Sequence, residues 1–225
     1  MTALTTLVDG HPAYPRRDVA LYLLGYAREQ AGDVAGALAA FGAVAAITSR
    51  YADEARFRIG ELQFAAGALE LAAAAYAPLA ARVGTRFTAL ARYKLGWSHY
   101  RRDAYPEAIA AFQSVLDLGA ADPLGASVQD EARQYVALSL TAHWDRDLAD
   151  DPRRPKGTAT AAVGRVVAYL GDGAHADRRA VAELAADALA EEVRDDEADT
   201  VYQRVLDVAT DGATRVRIGT KLGRQ

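Results

Sequence analysis

The chain has 225 residues, of which 51% are hydrophobic and 25% are charged, a composition typical of a folded protein without membrane-like hydrophobicity. Its formal net charge is −4 and its pI is about 5.6, which argues against the clustered basic surface that nucleic-acid binding requires. The sequence contains no cysteine, which excludes disulfides, thiolate metal ligands and a cysteine nucleophile.

The first residues, MTALTTLVDGHPAYPRRD, have neither a basic segment nor an apolar run of signal-peptide length. No stretch approaches the roughly 20 apolar residues that a membrane-spanning helix needs. We therefore expect either a cytoplasmic protein or a trimmed segment of an exported, envelope-associated one. Residues 1–16 are interpreted as an N-terminal extension.

Three segments of the chain then superimpose: LGYAREQAGDVAGALAAF from Leu24, IGELQFAAGALELAAAAY from Ile59 and LGWSHYRRDAYPEAIAAF from Leu95. They share glycines at Gly25, Gly60 and Gly96, alanines at Ala37, Ala72 and Ala108, and aromatic residues at Phe41, Tyr76 and Phe112. Each set is spaced by 35 and then 36 residues. A fixed period of this length predicts an all-α fold of stacked antiparallel helix hairpins, with three regular repeats over residues 17–125.

The third copy shows how one hairpin is expected to form. Gly96 in the first helix removes a side chain where a neighbouring helix must come close. The turn falls at Asp103, where the earlier copies have Gly32 and Gly67, residues that suit a helix end with positive φ. The buried stripe of the second helix is expected at Ala108, Phe112 and Val115.

The pattern loosens after the third copy. Residues 126–175 are interpreted as a degenerate repeat, with a first helix over 130–144 and a second over 160–170. The polar, proline-containing stretch between them predicts an inserted, exposed loop at 145–157.

A further hairpin is predicted over residues 176–210. Tyr202 follows Ala198 by four residues, and Ala186 precedes Ala198 by twelve, as in the intact copies. Residues 211–225 are interpreted as a C-terminal tail or the start of a truncated repeat. We therefore expect about five hairpins.

The spacing of the Leu-Gly pair, the small residue and the aromatic residue resembles the tetratricopeptide repeat family over roughly residues 17–118. One first-helix position that is usually aromatic in that family holds Arg56 and Arg92 here, and a second such position holds Arg28, Gln63 and His99. The resemblance implies a right-handed α-solenoid that serves as a non-catalytic scaffold and binds a protein or peptide without a cofactor. Taken with the composition, we expect no nucleic-acid partner and no direct membrane insertion.

The amino-acid sequence of segments such as ALYLLGY and EARFRIGELQF also resembles the large tetratricopeptide proteins of myxobacteria, including some linked to gliding motility. More distantly, it resembles outer-membrane assembly lipoproteins built from similar repeats. This narrower resemblance implies a scaffold in a bacterial envelope or motility assembly, with stacking into a larger assembly as one mode of action.

The family resemblance also implies that partners bind along the concave surface of the first helices. Seven aromatic residues occupy the corresponding positions here: Tyr22, Tyr26, Phe57, Phe64, Tyr93, Trp97 and Tyr100. They predict either an aromatic-lined groove for an apolar or proline-rich segment or packing between repeats. Arg101, next to Arg102, either binds a partner's carboxylate or is a solvated cation at a helix end.

No catalytic motif or metal-binding pattern is evident, and the four histidines are far apart in sequence. The acidic cluster at 145–151 lacks the central glycine and terminal glutamate of a calcium loop, so a solvated loop is favoured. An enzyme would need His99, His143 and those carboxylates to lie together. A regulatory adaptor or nucleic-acid binder would need the arginines aligned on one face. A protein-interaction scaffold is the preferred interpretation.

Overall fold

The computed structural model describes residues 2–119, 123–142 and 161–223. Within these ranges the chain forms α-helices and no β-strand, so the all-α prediction is confirmed. The inserted loop predicted at 145–157 lies outside the described residues. The helices divide into two compact units, Met1–Arg102 and Asp103–Gln225.

The first unit is a series of helices that pack in chain order. They are α1 (Thr2–Gly10), α2 (Arg17–Gln30), α3 (Val34–Ala45), α4 (Ala52–Ala65), α5 (Leu69–Ala80) and α6 (Thr88–Tyr100). Each helix contacts the next one along the chain. Short turns join α2 to α3 and α4 to α5, and these two pairs are the first two predicted hairpins.

The second unit is also helical throughout its described parts. Its helices are α7 (Tyr105–Leu116), α8 (Pro123–Thr141), α9 (Ala161–Leu170), α10 (Ala176–Glu191), α11 (Asp195–Val208) and α12 (Gly212–Leu222). Sequence neighbours again pack together, and α10 also contacts α8. The first helix of the degenerate repeat, α8, begins seven residues earlier than its predicted start at residue 130.

The predicted N-terminal extension contains a helix of its own, α1, because Leu4, Leu7 and Val8 pack against the core formed by α2 and α3. The predicted tail likewise contains α12, which is anchored by the fully buried Ile218. The limits proposed for the individual repeats remain a prediction.

Aromatic rings of the second helices pack on the repeat glycines of the first helices. The Phe41 ring lies over Gly25, where an added Cβ would be 2.7 Å from two ring carbons. The Tyr76 ring lies over Gly60, and a Cβ added at Gly60 would be even closer to the ring carbons. Both rings are fully buried. Glycine is therefore needed at these two positions because the space for a side chain is filled by the aromatic residue sixteen positions later.

The turns of the hairpins require a left-handed residue. Gly32, Gly67 and Asp103 occupy the same position of the three copies, with φ values of 76°, 75° and 58°. At the first two turns, backbone bonds from the left-handed residue and its successor return to the last helical carbonyls, as in a Schellman motif. The glycine preference at the turn follows from this geometry.

Two arginines at a first-helix position that is usually aromatic bind the ends of the preceding helices. Arg56 on α4 donates to the Ala45 carbonyl at the end of α3, at 2.5 Å. Arg92 on α6 donates to the Ala80 carbonyl at the end of α5, at 3.0 Å. A cation at a helix C-terminus satisfies free carbonyls and complements the helix dipole. These arginines therefore connect consecutive hairpins.

The turn between α10 and α11 places a valine in the left-handed region. Val193 has φ of 60° and is 81% exposed, and its Schellman bonds match those at Gly32 and Gly67. A β-branched residue is strained in this conformation and gains little here from burial. We expect Val193→Gly to stabilise the protein by about 1 kcal/mol, measured by urea denaturation. Val83→Gly, at an exposed valine with ordinary φ, is the control and should give no such gain.

Candidate protein-binding surface

Two of the seven predicted surface aromatics pack between consecutive repeats. Tyr22 on α2 stacks on Tyr51 with ring centroids 4.8 Å apart, and its hydroxyl donates to Glu54 at 2.6 Å. Burial and the neighbouring Glu54 carboxylate raise the pKa of Tyr22 to about 12. Phe57 on α4 stacks in the same way on Phe87, at 5.5 Å. These two side chains join first helices to the start of the next repeat.

Three other predicted residues form a groove at the end of the first unit. Phe64 on α4 and Tyr93 and Trp97 on α6 line a cavity of about 400 Å³, together with Lys94 and Arg101. Trp97 meets the Tyr93 ring edge-on, with centroids 6.5 Å apart. Lys94 was not among the predicted binding residues. We call this set of five residues the aromatic groove.

Two cations flank the ring of Phe64 in the aromatic groove. The Arg101 guanidinium carbon lies 4.9 Å from the ring centroid, and the Lys94 ammonium lies 5.4 Å from it. Lys94 also pairs with Glu61 at 3.1 Å. In the described parts of the chain, no carboxylate pairs with the exposed Arg101. The groove therefore combines apolar rings with a cation that is available to an anionic group.

The remaining members of the predicted set lie beside these two groups. Tyr100 meets the Trp97 ring edge-on at 6.1 Å, next to the aromatic groove. Tyr26 on α2 is 42% exposed, and Arg58 lies over its ring at 5.5 Å. The seven rings are thus divided between packing and surface positions rather than forming one stripe.

The arginines near Arg101 in the sequence have partners elsewhere. Arg102 pairs with the exposed Glu70 at 3.6 Å, and Arg92 binds the end of α5. Arg101 is consequently the arginine that the structure brings to the aromatic groove.

A recurring three-residue arrangement, which the sequence analysis missed, joins consecutive repeats. The Tyr76 hydroxyl donates to Glu61, which also accepts from Lys94 of the next first helix. In the second unit, the Tyr202 hydroxyl donates to Asp187, which accepts from Lys221 at 2.6 Å. Burial and these carboxylates raise the pKa of both tyrosines. We call each arrangement a Tyr–acid–Lys triad.

The sequence contained a signal for these triads. In the hairpins whose second helix carries a tyrosine, the residue directly after the repeat glycine or alanine of the first helix is acidic. These pairs are Glu61 with Tyr76 and Asp187 with Tyr202. Where the second helix has phenylalanine instead, the same first-helix position is aromatic, at Tyr26 and Trp97. Phenylalanine has no hydroxyl that needs an acceptor. These positions are therefore free to hold surface aromatics.

A second cavity, of about 490 Å³, lies among α8, α10 and α12 in the second unit. Its charged side chains bind each other: Arg133 pairs with Asp177 at 2.8 Å, and Arg217 pairs with Glu183 at 2.7 Å. Charges that are already paired offer little to a ligand. This cavity is therefore a weaker candidate than the aromatic groove.

Among the described residues, no group of three or more histidine, aspartate or glutamate side chains could hold a metal ion. Among the same residues, no helix has the length and hydrophobicity needed to cross a bilayer. His143 and the acidic residues at 145–151 lie outside the described residues.

The helices, turns and glycine contacts define a helical-repeat protein built from packed hairpins. The tetratricopeptide repeat family model matches the chain at residues 19–46, which span most of α2 and all of α3, and at residues 90–118, which span most of α6 and all of α7. The chain thus carries tetratricopeptide repeats at these two places, and the resemblance of its sequence to that family is confirmed. No curated protein matches it. Repeats of this family generally mediate protein–protein interactions and are typically non-catalytic.

Proposed function

We propose that this protein is a non-catalytic scaffold that binds a partner peptide or helix in the aromatic groove. The observation that carries the proposal is the combination of Phe64, Tyr93 and Trp97 in one cavity with Arg101, a cation that pairs with no carboxylate among the described residues. Tryptophan and tyrosine provide a large contact area at low entropic cost and are enriched at binding hot spots.

The chemistry of the groove indicates the kind of segment that fits it. An apolar or aromatic side chain would displace water from the apolar surface that Phe64, Tyr93 and Trp97 present to the cavity. An acidic group next to that side chain would reach Arg101, whose guanidinium is held beside the Phe64 ring and needs little reorganisation. We therefore propose a partner segment that has an apolar residue close to a carboxylate.

The proposal can be tested with a phage-displayed peptide library selected on the protein. The expected result is enrichment of peptides with an aromatic or aliphatic residue near an acidic one. Binding of a selected peptide, followed by the fluorescence of Trp97 in a Trp144→Phe background, should weaken by about tenfold or more in Phe64→Ala and Arg101→Ala variants.

Arg178→Ala is a matched control for this experiment. Arg178 lies over the Tyr169 ring at 5.5 Å in the second unit, so the variant removes a similar cation–π contact away from the groove. Its peptide affinity should equal that of the wild type. If the selected peptides bind Phe64→Ala and Arg101→Ala as tightly as they bind Arg178→Ala, the groove is not the binding site.

We further propose, from the resemblance of the repeat segments to myxobacterial and outer-membrane assembly proteins, that the partner belongs to a bacterial envelope or motility assembly. A scaffold in such an assembly would hold one component through the groove and others through the ends of its helical stack. A regulatory adaptor would use the same groove chemistry and remains the alternative.

A further inference from the structure

The two cations of the aromatic groove differ in their partners. The Lys94 ammonium and the Arg101 guanidinium carbon lie 5.4 Å and 4.9 Å from the centroid of the Phe64 ring. The Lys94 ammonium pairs with the Glu61 carboxylate at 3.1 Å, whereas the exposed Arg101 pairs with no carboxylate among the described residues. An anion that enters the groove therefore meets one cation that is already neutralised and one that is not.

Glu61 is held by two donors. Its Oε1 atom accepts a hydrogen bond from the Tyr76 hydroxyl, and its Oε2 atom accepts one from Lys94. Tyr76 is fully buried, so this donor keeps a fixed position. A carboxylate that is already oriented loses little side-chain entropy when it pairs with a cation. We therefore expect Lys94 to stay paired with Glu61 while the groove is empty.

The preceding repeat contains the same pairing. Arg58 on α4 occupies the position of Lys94, two residues before the repeat glycine. It lies over the Tyr26 ring at 5.5 Å and pairs with Glu29 at 3.2 Å. In both repeats, an acid on the preceding first helix neutralises the cation beside the ring. Arg101, which follows the repeat glycine by five residues, is outside this pattern.

The charges are arranged along the length of the groove. Glu61 and Phe64 are three residues apart on α4 and share one face of that helix. Lys94 and Arg101 are seven residues apart on α6, which corresponds to two turns and about 10 Å along the helix axis. The Glu61–Lys94 pair therefore lies at one end of the groove and Arg101 at the other. One end is neutral and the other is cationic.

We propose that Glu61 determines the charge pattern of the partner segment: it neutralises Lys94, so that the groove binds a carboxylate at Arg101 and gains nothing from a second one. A second carboxylate near Lys94 would lie next to Glu61, whose repulsion offsets the attraction of the ammonium. The partner is therefore a segment with an acidic residue on one side of its apolar residue and a neutral residue on the other. This role of Glu61 rests on the proposed function of the groove and adds the charge pattern of the bound segment.

The charge of the groove can be measured without a partner, through the fluorescence of Trp97 in the Trp144→Phe background. Iodide is an anionic quencher and acrylamide is a neutral one, so the ratio of their quenching constants reports the local charge. Glu61→Gln should raise this ratio by about twofold at low salt, because Lys94 is then no longer neutralised. Lys94→Met should lower the ratio by a similar factor, because the charge of Glu61 is then uncompensated.

Two further measurements control this experiment. Glu61→Gln should keep the fold, because the amide oxygen of glutamine still accepts the Tyr76 hydroxyl, and thermal unfolding checks this. The double variant, which combines Glu61→Gln with Lys94→Met, removes both charges and should restore the wild-type ratio. An unchanged ratio in Glu61→Gln, or a double variant that stays as low as Lys94→Met, would overturn the proposal.

A second experiment measures the charge pattern of the partner. Its probes are the tightest peptide from the phage selection and an analogue with an added aspartate on the other side of the apolar residue. The wild type should bind both equally, whereas Glu61→Gln should bind the analogue about three- to fivefold more tightly, because the second carboxylate then reaches an unpaired Lys94. Glu29→Gln releases Arg58 in the preceding repeat and is the matched control, which should bind both peptides equally.

The possible results separate the role of Glu61 from the proposed function. If Phe64→Ala weakens peptide binding but Glu61→Gln does not favour the analogue, the groove binds the peptide and the role assigned to Glu61 is wrong. If Phe64→Ala has no effect, the proposed function fails and the role of Glu61 fails with it. Selection of peptides with acidic residues on both sides of the apolar residue would also contradict this role.

Discussion

Replacing Gly60 with alanine is expected to destabilise the first unit by about 1–3 kcal/mol, because an overpacked helix contact must move apart. The added methyl group would overlap the ring of Tyr76, which cannot withdraw easily since it is fully buried and its hydroxyl is held by Glu61. Each kcal/mol corresponds to about 2–4 °C in melting temperature for a chain of this size. Thermal unfolding followed by circular dichroism measures the change.

Gly42→Ala provides the matched control. Gly42 lies within α3, and no described atom is within 4 Å of its missing Cβ. Alanine there should stabilise the protein by about 0.5–1 kcal/mol, because it reduces the entropy of the unfolded chain. If both variants melt alike, the close contact between Gly60 and Tyr76 does not control stability.

Much of the fold could be predicted because its determinants recur with a fixed period. Gly25 and Phe41, and again Gly60 and Tyr76, are separated by sixteen residues, and a contact that is repeated leaves a periodic pattern in the sequence. The left-handed turn at Asp103 could also be predicted, because the two earlier copies have glycine there. Val193 could not, since valine gives no indication of a positive φ.

The candidate site was less accessible to sequence analysis, because helical spacing does not separate surface from packing. Tyr22, Phe57 and Tyr93 all lie three residues before a repeat glycine. In the structure Tyr22 and Phe57 stack on aromatics from the next repeat, whereas Tyr93 lines the aromatic groove. The difference depends on neighbours that come from elsewhere in the chain. A reading based on one helix therefore cannot assign these roles.

The roles of several charged residues could not be predicted either, because their partners lie on other helices. Arg56 and Arg92 departed from the family pattern, and their helix-end contacts explain the substitution only when the preceding helix is in place. Lys94 and Lys221 have similar roles in the triads, 33 and 34 residues after their acidic partners. Such pairings extend over a whole repeat, and they could be recognised once the acid and tyrosine positions were compared between copies.

Replacing Glu183 with glutamine is expected to loosen α12. Glu183 on α10 is buried and accepts two bonds from Arg217, both at 2.7 Å, and one from Lys221 at 2.9 Å. Removing its charge weakens all three bonds. The expected loss is about 1–2 kcal/mol, reduced because the Arg217 side chain is half exposed. Amide hydrogen exchange of residues 212–222 should accelerate by about tenfold, whereas Glu191→Gln, at an exposed position on the same helix, should leave it unchanged.

The charge of Glu183 also makes the stability of α12 depend on pH, in a direction that follows from its pKa. Burial alone would raise the pKa of Glu183, but the bonds from Arg217 and Lys221 outweigh it and lower the pKa from its ordinary value of 4.5. A carboxyl group with a lowered pKa in the folded state stabilises that state above its unfolded pKa and loses the contribution as the pH falls through the folded value.

The protection of α12 from hydrogen exchange, corrected for intrinsic exchange rates, should therefore decrease below about pH 4.5 in the wild type. Asp187 also binds Lys221, so the difference between the wild type and Glu183→Gln isolates the contribution of Glu183. That difference should be largest near neutral pH and should vanish in acid; a difference that is constant with pH would mean that Glu183 acts through its shape and not its charge.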